Sequence, residues 1–148
     1  MKNKEILEEL SLGIRSFLEA KERSANKSID EFDENRILEA SFSRLFLSIE
    51  HICNAIVLFE TGNYSKKHFG DLKKMQQIQQ KYRLGLTEIY REAYTFRAYG
   101  DYRKFPEVEE NFNRANLFEE IKKIEGVIKE CIKIIKSKIN LEEIEKRL

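Results

Sequence analysis

The sequence has one proline and six glycines in 148 residues, and it shows little of the alternation of polar and apolar residues that is typical of β-strands. Because proline and glycine interrupt helices, their scarcity favours helices over sheets. No apolar run reaches about 18 uninterrupted residues, so no membrane-spanning helix is predicted. Residues 1–9 carry charges throughout, so we expect no secretory signal there.

An excess of one charge sign is also lacking, since 27 lysines and arginines face 26 aspartates and glutamates for a formal net charge of +1. No global basic field therefore indicates a nucleic acid or a membrane, although a local basic patch is compatible with this balance. With 41% hydrophobic and 36% charged residues, the composition is that of a compact bundle with a charged surface. It is not the composition of a disordered chain.

Cysteine is scarce, and the spacing of metal ligands is absent. Cys53 and Cys131 lie in apolar stretches without a Cys-x-x-Cys spacing, so we expect reduced core cysteines in a cytoplasmic protein. No histidines, cysteines or carboxylates pair at the spacing of metal ligands, so neither a bound metal nor another cofactor is predicted.

Apolar residues recur at helical spacing in five stretches, at about 4–24, 33–60, 70–82, 86–98 and 106–138. We predict a single all-α domain over residues 1–148, an up-down bundle of about five helices with a short charged tail helix. The second helix is apolar on most sides, interrupted between Arg44 and Phe59 only by Glu50 and His51, and is predicted to be central. Gly62 is predicted to end it, and Pro106 to begin the last long helix.

The segment most suited to chemistry is Arg97-Ala98-Tyr99-Gly100-Asp101-Tyr102, where the helical pattern is predicted to break. It brings a fixed cation, a carboxylate and two phenols into a predicted loop that ends at Phe105. The planar guanidinium of arginine carries several N–H donors and can bind two oxygens of a phosphate at once. Arg97 and Tyr102 lie about 140° apart on an ideal helix, so they meet only if the backbone breaks, which Gly100 permits.

Three features in this order resemble a HEPN domain, a small all-helical family often encoded beside minimal nucleotidyltransferases. They are the apolar helix over 44–58 with its glycine turn, the segment Ser65-Lys66-Lys67-His68-Phe69-Gly70, and the Arg97–Tyr102 segment. The last is similar to the Arg-x-x-x-Asp-Tyr signature of one branch. The resemblance spans residues 34–136.

The resemblance implies a homodimer with helix two and the Arg97 loop near the dimer cleft. Many HEPN proteins are metal-independent ribonucleases in which an arginine holds phosphate and a nearby histidine moves a proton. Here Tyr102 stands where that histidine is expected, which leaves catalysis open. The first hypothesis is a toxin-type subunit that acts on RNA and is controlled by a nucleotidyltransferase. Arg97 would bind phosphate, Asp101 would orient Arg97, and Tyr102 would be the acid or an acceptor of AMP.

Two other hypotheses use the same residues. One is a non-catalytic nucleotide- or partner-binding module, and the other is a structural protein in which Arg97 and Asp101 form a helical i,i+4 pair. A related hypothesis is that the residues around the motif bind single-stranded RNA, with arginines contacting phosphates and aromatic rings stacking on bases. These residues are Arg91, Tyr94, Arg97, Tyr99, Tyr102, Arg103, Lys104 and Phe105. His51 is expected to be a core or dimer-interface residue. His68 is expected to be a cap or surface contact rather than the alternative, an active-site acid or base.

Overall fold

A computed structural model describes residues 2–148 and shows a helical bundle, with 78% of the chain helical and no strand among those residues. In chain order the helices are α1 (Lys2–Ser24), α2 (Glu31–Thr61), α3 (Leu72–Tyr82), α4 (Leu86–Tyr102), a 3₁₀ helix (Pro106–Asn111), α5 (Arg114–Ile135) and α6 (Glu142–Glu145). The predicted all-α fold is confirmed.

Helix α2 is the centre of the bundle, as predicted, and packs against α1, α3, α4 and α5. It runs antiparallel to α1, because Glu9 contacts Asn54 while Ser48 donates to the Gly13 carbonyl. By length and hydropathy α2 could cross a membrane, but 61% of its most apolar 18-residue window is buried inside the bundle. Its apolar surface is therefore largely covered by the other helices.

The close approach of α1 to α2 depends on Gly13. A Cβ atom at this position would lie 2.7 Å from Ile52 Cδ1 and 3.1 Å from the Ser48 carbonyl oxygen. The Ser48 hydroxyl donates a 2.7 Å hydrogen bond to the Gly13 carbonyl across the same contact. The absent side chain thus lets the two helices pack tightly beside the residues of the site described below.

Local signals account for the ends of α2 and the start of α5. The Asp30 side chain accepts from the Asp33 amide before the first turn of α2, and Gly62 ends α2 at φ 86°, as predicted. Asn113 accepts from the Asn116 amide at the start of α5. The prediction that Pro106 begins the last long helix is wrong, since Pro106 begins the separate 3₁₀ helix and the chain turns again before α5.

Both cysteines are buried and free, and no disulfide joins them. Burial raises the pKa of the Cys131 thiol to about 12, and it raises that of Cys53 well above its ordinary value. Thiols held in this protonated form are poor nucleophiles. The described part of the chain therefore offers no activated cysteine.

Candidate functional site

The predicted break before Tyr102 does not occur, because α4 continues through Tyr102. Gly100 is helical, and it serves packing instead: a Cβ atom there would lie 3.2 Å from the Phe112 ring and 3.6 Å from Glu39 Cα. The chain leaves the helix at Arg103, which has φ 56° and donates to the carbonyls of Tyr99 and Gly100. The predicted loop between Ala98 and Phe105 is therefore wrong for residues 99–102, which are helical, and only residues 103–105 leave the helix.

The structure brings Arg97 and Asp101 together but leaves Tyr102 apart from them. Arg97 Nε lies 3.2 Å from Asp101 Oδ2 in an i,i+4 pair on α4. Tyr102 is 70% exposed at the end of the helix, and helical geometry turns it to another side. Arg97 and Tyr102 therefore do not converge as the broken backbone would have required.

Arg97 lies on the ring of Phe46 from α2. Its Cζ atom is 5.1 Å from the ring centroid, a cation–π contact, while Nε is held by Asp101. Within residues 2–148 the two terminal nitrogens of Arg97 have no hydrogen-bond partner, and a quarter of the side chain is exposed. The guanidinium is thus fixed in position with its fork available to an anion.

The same Phe46 ring carries His68 at its edge. The imidazole centroid lies 5.4 Å from the Phe46 centroid and 6.3 Å from that of Tyr94. We call these four residues, Phe46, His68, Tyr94 and Arg97, the Phe46 cluster. It joins a cation from α4 to an imidazole from the segment 63–71 between α2 and α3.

Glu50 of α2 fixes the orientation of His68. One carboxylate oxygen of Glu50 makes a short contact with His68 Nδ1 and accepts from the Tyr90 hydroxyl at 3.3 Å. Tyr90 in turn accepts from the Phe69 amide at 3.3 Å, and burial raises the pKa of its phenol. With Nδ1 facing Glu50, His68 Nε2 is the nitrogen left for a ligand.

A second Glu–His pair lies at a cavity of about 230 Å³ that is lined by α1, α2, α3, α4 and the segment 63–71 and that Glu50 also borders. His51 Nδ1 lies 2.6 Å from a Glu9 carboxylate oxygen. Glu9 also accepts from Tyr64 at 2.9 Å and from Asn54 at 3.3 Å. We call this space the Glu9 cavity, and its other lining residues include Ser65, Lys66, Lys67, Asp71 and Met75.

The charge state of Glu9 follows from these donors. Burial would raise the pKa of its carboxyl, but the hydrogen bonds from His51, Tyr64 and Asn54 and the charge of His51 outweigh burial and hold that pKa below its ordinary value. Burial and the bond to Glu9 raise the pKa of Tyr64 to about 12. Glu9 is therefore an ionised acceptor that orients His51.

The carboxylates Glu9 and Glu50 were not singled out from the sequence, and both histidines were expected to have lesser roles. One signal was present: Glu50 and His51 are the only charged interruption of the apolar stretch of α2. The partners of these two residues lie 18 and 42 positions away, beyond any helical period. Among residues 2–148, no three histidines, cysteines or carboxylates cluster as metal ligands.

Part of the expected cationic surface is used for packing. Tyr99 is only 8% exposed, and Arg103 lies over its ring while forming an ion pair with Glu39. Lys104, Tyr102 and Phe105 remain exposed at the end of α4. The accessible groups for a ligand are thus split between this helix end and the Phe46 cluster.

No protein-family description, curated protein or solved structure matches this chain.

Proposed function

We propose that this protein is a HEPN-like subunit that acts on RNA at the Phe46 cluster. In this proposal Arg97 binds the phosphodiester and His68 supplies the proton-transfer group that is absent from position 102. The observation that carries the proposal is the shared contact of Arg97 and His68 with Phe46. It supports a phosphate-binding and proton-transfer pair formed by residues far apart in the sequence.

The chemistry follows from the two side chains. Arg97 would neutralise a non-bridging phosphate oxygen through its terminal nitrogens while Asp101 keeps Nε in place. Neutral His68 would take the proton of the ribose 2′-hydroxyl as that oxygen attacks phosphorus. The bond from phosphorus to the 5′-oxygen would break, and this oxygen would leave with a proton from water. Imidazole suits the first proton transfer because it titrates near neutral pH.

In this proposal Asp101 positions Arg97, and the contact of Asp101 with Nε rather than with the terminal nitrogens supports this role. Tyr102 has a different role in the proposal. Its exposure of 70% at the helix end leaves its hydroxyl accessible to a nucleotidyltransferase that would transfer AMP to it. A homodimer with this helix end near the dimer cleft, and control as in a toxin–antitoxin pair, are further parts of the proposal.

The test is cleavage of a mixed-sequence RNA in EDTA by the purified protein and by single variants. We expect Arg97→Ala and His68→Gln each to lower the rate at least about 100-fold, the usual contribution of a positioned catalytic group. Arg15→Ala removes an exposed arginine from α1, outside the residues of the candidate RNA surface, and is the matched control. Tyr102→Phe should leave cleavage intact. Cleavage that survives both Arg97→Ala and His68→Gln would contradict the proposal.

A non-catalytic nucleotide-binding module is the second candidate, and the absence of histidine at position 102 favours it. It predicts RNA or nucleotide binding that Arg97→Ala abolishes, without cleavage by the wild type. If Arg97→Ala changes only thermal stability and neither binding nor cleavage, the Arg97–Asp101 pair is purely structural.

A further inference from the structure

Tyr94 places a phenol in the Phe46 cluster beside Arg97 and His68. It lies on α4 three positions before Arg97, so the two side chains share one side of that helix. Its ring meets Phe46 and Phe69 edge to face, with centroid distances of 5.6 and 4.9 Å. Packing therefore fixes the phenol next to the two groups that would contact the phosphodiester.

The hydroxyl of Tyr94 is free, in contrast to that of Tyr90 one helical turn earlier. The Tyr90 hydroxyl donates to Glu50 and accepts from the Phe69 amide. Among residues 2–148 the Tyr94 hydroxyl has no hydrogen-bond partner, yet it is not one of the unpartnered polar atoms that are sealed from solvent. The half-buried side chain thus leaves its hydroxyl within reach of a ligand.

The other two phenols near the end of α4 do not have this position. Tyr99 is 8% exposed, and its ring lies beneath the guanidinium of Arg103. Tyr102 lies on another side of the helix from Arg97, at the end of α4. Tyr94 is therefore the phenol that a phosphodiester held by Arg97 would meet.

A phenol in this place is suited to supply the proton that cleavage consumes at the leaving group. Attack by the 2′-oxygen releases the 5′-oxygen as an alkoxide, a far stronger base than a phenolate, so a proton from a phenol favours release. A tyrosine ordinarily carries its proton at neutral pH, where a neutral imidazole can act as the base. The ring centroids of Tyr94 and His68 are 6.3 Å apart, close enough for both side chains to reach one phosphodiester.

We propose that Tyr94 is a further catalytic residue of the Phe46 cluster and protonates the leaving 5′-oxygen of the RNA. The bond from phosphorus to the 5′-oxygen breaks as the phenol gives its proton to that oxygen. The phenolate then takes a proton from water, so water restores Tyr94 instead of protonating the leaving group directly. The inference rests on the proposed function, because it concerns the same site and the same reaction.

The test compares natural RNA with an RNA in which sulfur replaces the 5′-oxygen of the scissile linkage, both under single-turnover conditions. A thiolate leaves without a proton, because thiols are far stronger acids than alcohols. We expect Tyr94→Phe to slow cleavage of natural RNA at least about 100-fold, and that of the sulfur-linked RNA less than about threefold. His68→Gln should slow both reactions, because both need the base.

The variant Tyr94→Phe removes one oxygen atom and keeps the ring that contacts Phe46 and Phe69. Circular dichroism and thermal unfolding check that the fold is unchanged. Tyr82→Phe is the matched control, since it removes a phenol hydroxyl from α3 that contacts Glu60, outside the Phe46 cluster. It should alter the rate with neither RNA.

The two substrates distinguish an acid from a residue that only holds the RNA. Equal slowing of both RNAs by Tyr94→Phe would overturn the acid role, because a contact that only positions the substrate does not depend on the leaving atom. Unchanged cleavage of natural RNA by Tyr94→Phe would overturn it too. In both cases, cleavage that is lost in Arg97→Ala and His68→Gln leaves the proposed function intact. A wild type that cleaves neither RNA would overturn the proposed function and the role of Tyr94 together.

Discussion

Glu9 and Glu120 are both largely shielded from solvent, yet they have different charge states. The Glu9 side chain is 12% exposed and faces three donors, and its pKa lies below the ordinary value. Glu120 of α5 is 3% exposed and faces the carboxylate of Glu92 from α4. Burial, followed by the hydrogen bond and charge of Glu92, raises the pKa of Glu120 to about 9 despite the nearby Lys123.

The difference shows that the partners of a buried carboxyl, rather than burial alone, decide its charge. If both carboxyls were ionised, Glu120 Oε2 would have no hydrogen-bond donor among the described residues. A proton on Glu120 resolves this, because the acid can donate to Glu92, whose own pKa is lowered by that bond. Glu9 needs no such proton, since its donors come from His51, Tyr64 and Asn54.

Among the variants considered for these two carboxyls, removal of Glu9 should change the stability of the protein most. Glu9→Ala leaves His51, Tyr64 and Asn54 without their common acceptor and should lower the free energy of unfolding by about 3 kcal/mol. Urea denaturation measures the change, with the exposed neighbour Glu8→Ala as a control. Equal stability of the two variants would show that the three bonds to Glu9 contribute nothing net.

The pH dependence of stability should differ in sign for the two carboxyls. Between 4.5 and about 9 the folded protein keeps a proton on Glu120 that the unfolded chain releases. Stability from this group is therefore fully present below 4.5 and falls as pH rises, by up to about 1.4 kcal/mol per pH unit. Glu9 contributes stability above 4.5 that is lost as pH falls through its lowered pKa.

Urea titrations from about pH 2.5 to about pH 9 test this. The alkaline decline should disappear in Glu120→Gln, and the acid loss should shrink in Glu9→Gln. A decline above pH 7 that is the same in wild type and Glu120→Gln would contradict the assignment of the proton to Glu120.

Glu120→Gln at fixed pH should have a smaller effect of the opposite sign to Glu9→Ala. The amide can donate to Glu92 without having to take up a proton on folding, so stability at pH 7 should rise by about 1–2 kcal/mol. Thermal unfolding in buffer at pH 7 measures the change. Glu119→Gln, at an exposed position beside it, should leave stability unchanged. A destabilised Glu120→Gln would argue that the second amide hydrogen is left unpaired.

Asp101→Ala should have the smallest effect on stability. The Arg97–Asp101 pair is partly exposed, so its loss should cost about 0.3–0.5 kcal/mol. RNA cleavage or binding should fall more than this stability change explains if Asp101 positions Arg97 as proposed. Parallel urea and RNA measurements on Asp101→Ala and Asp101→Asn separate the two roles.

The spacing of apolar residues in the sequence was sufficient to predict the helices, but it did not predict where α4 ends. Gly62 ends α2 as predicted because a left-handed cap is a local property. Gly100 carries the same local signal, yet it packs against Phe112, twelve positions later, and stays helical. A distant contact outweighed the conformational freedom of the glycine.

The candidate site was predictable only in part for the same reason. Arg97 and Asp101 come from one helical turn and could be paired from their spacing. Phe46 and His68 join Arg97 only through the packing of α2, α4 and the segment between α2 and α3. The Glu9–His51 pair depends on the packing of α1 against α2, which involves the close contact at Gly13 and follows from no periodic signal.

The segment 63–71 has a consequence for local unfolding. Tyr64 binds it to α1, and His68 and the Phe69 amide bind it to α2 and α4 through exposed or half-buried polar groups. Its apolar contacts come mainly from the rings of Tyr64 and Phe69, whereas the helices pack around a large apolar core. Such a segment opens at a lower free energy than the bundle as a whole. Amide hydrogen exchange in this segment should therefore slow when a ligand occupies the Phe46 cluster, while exchange in the core of α2 keeps its global rate.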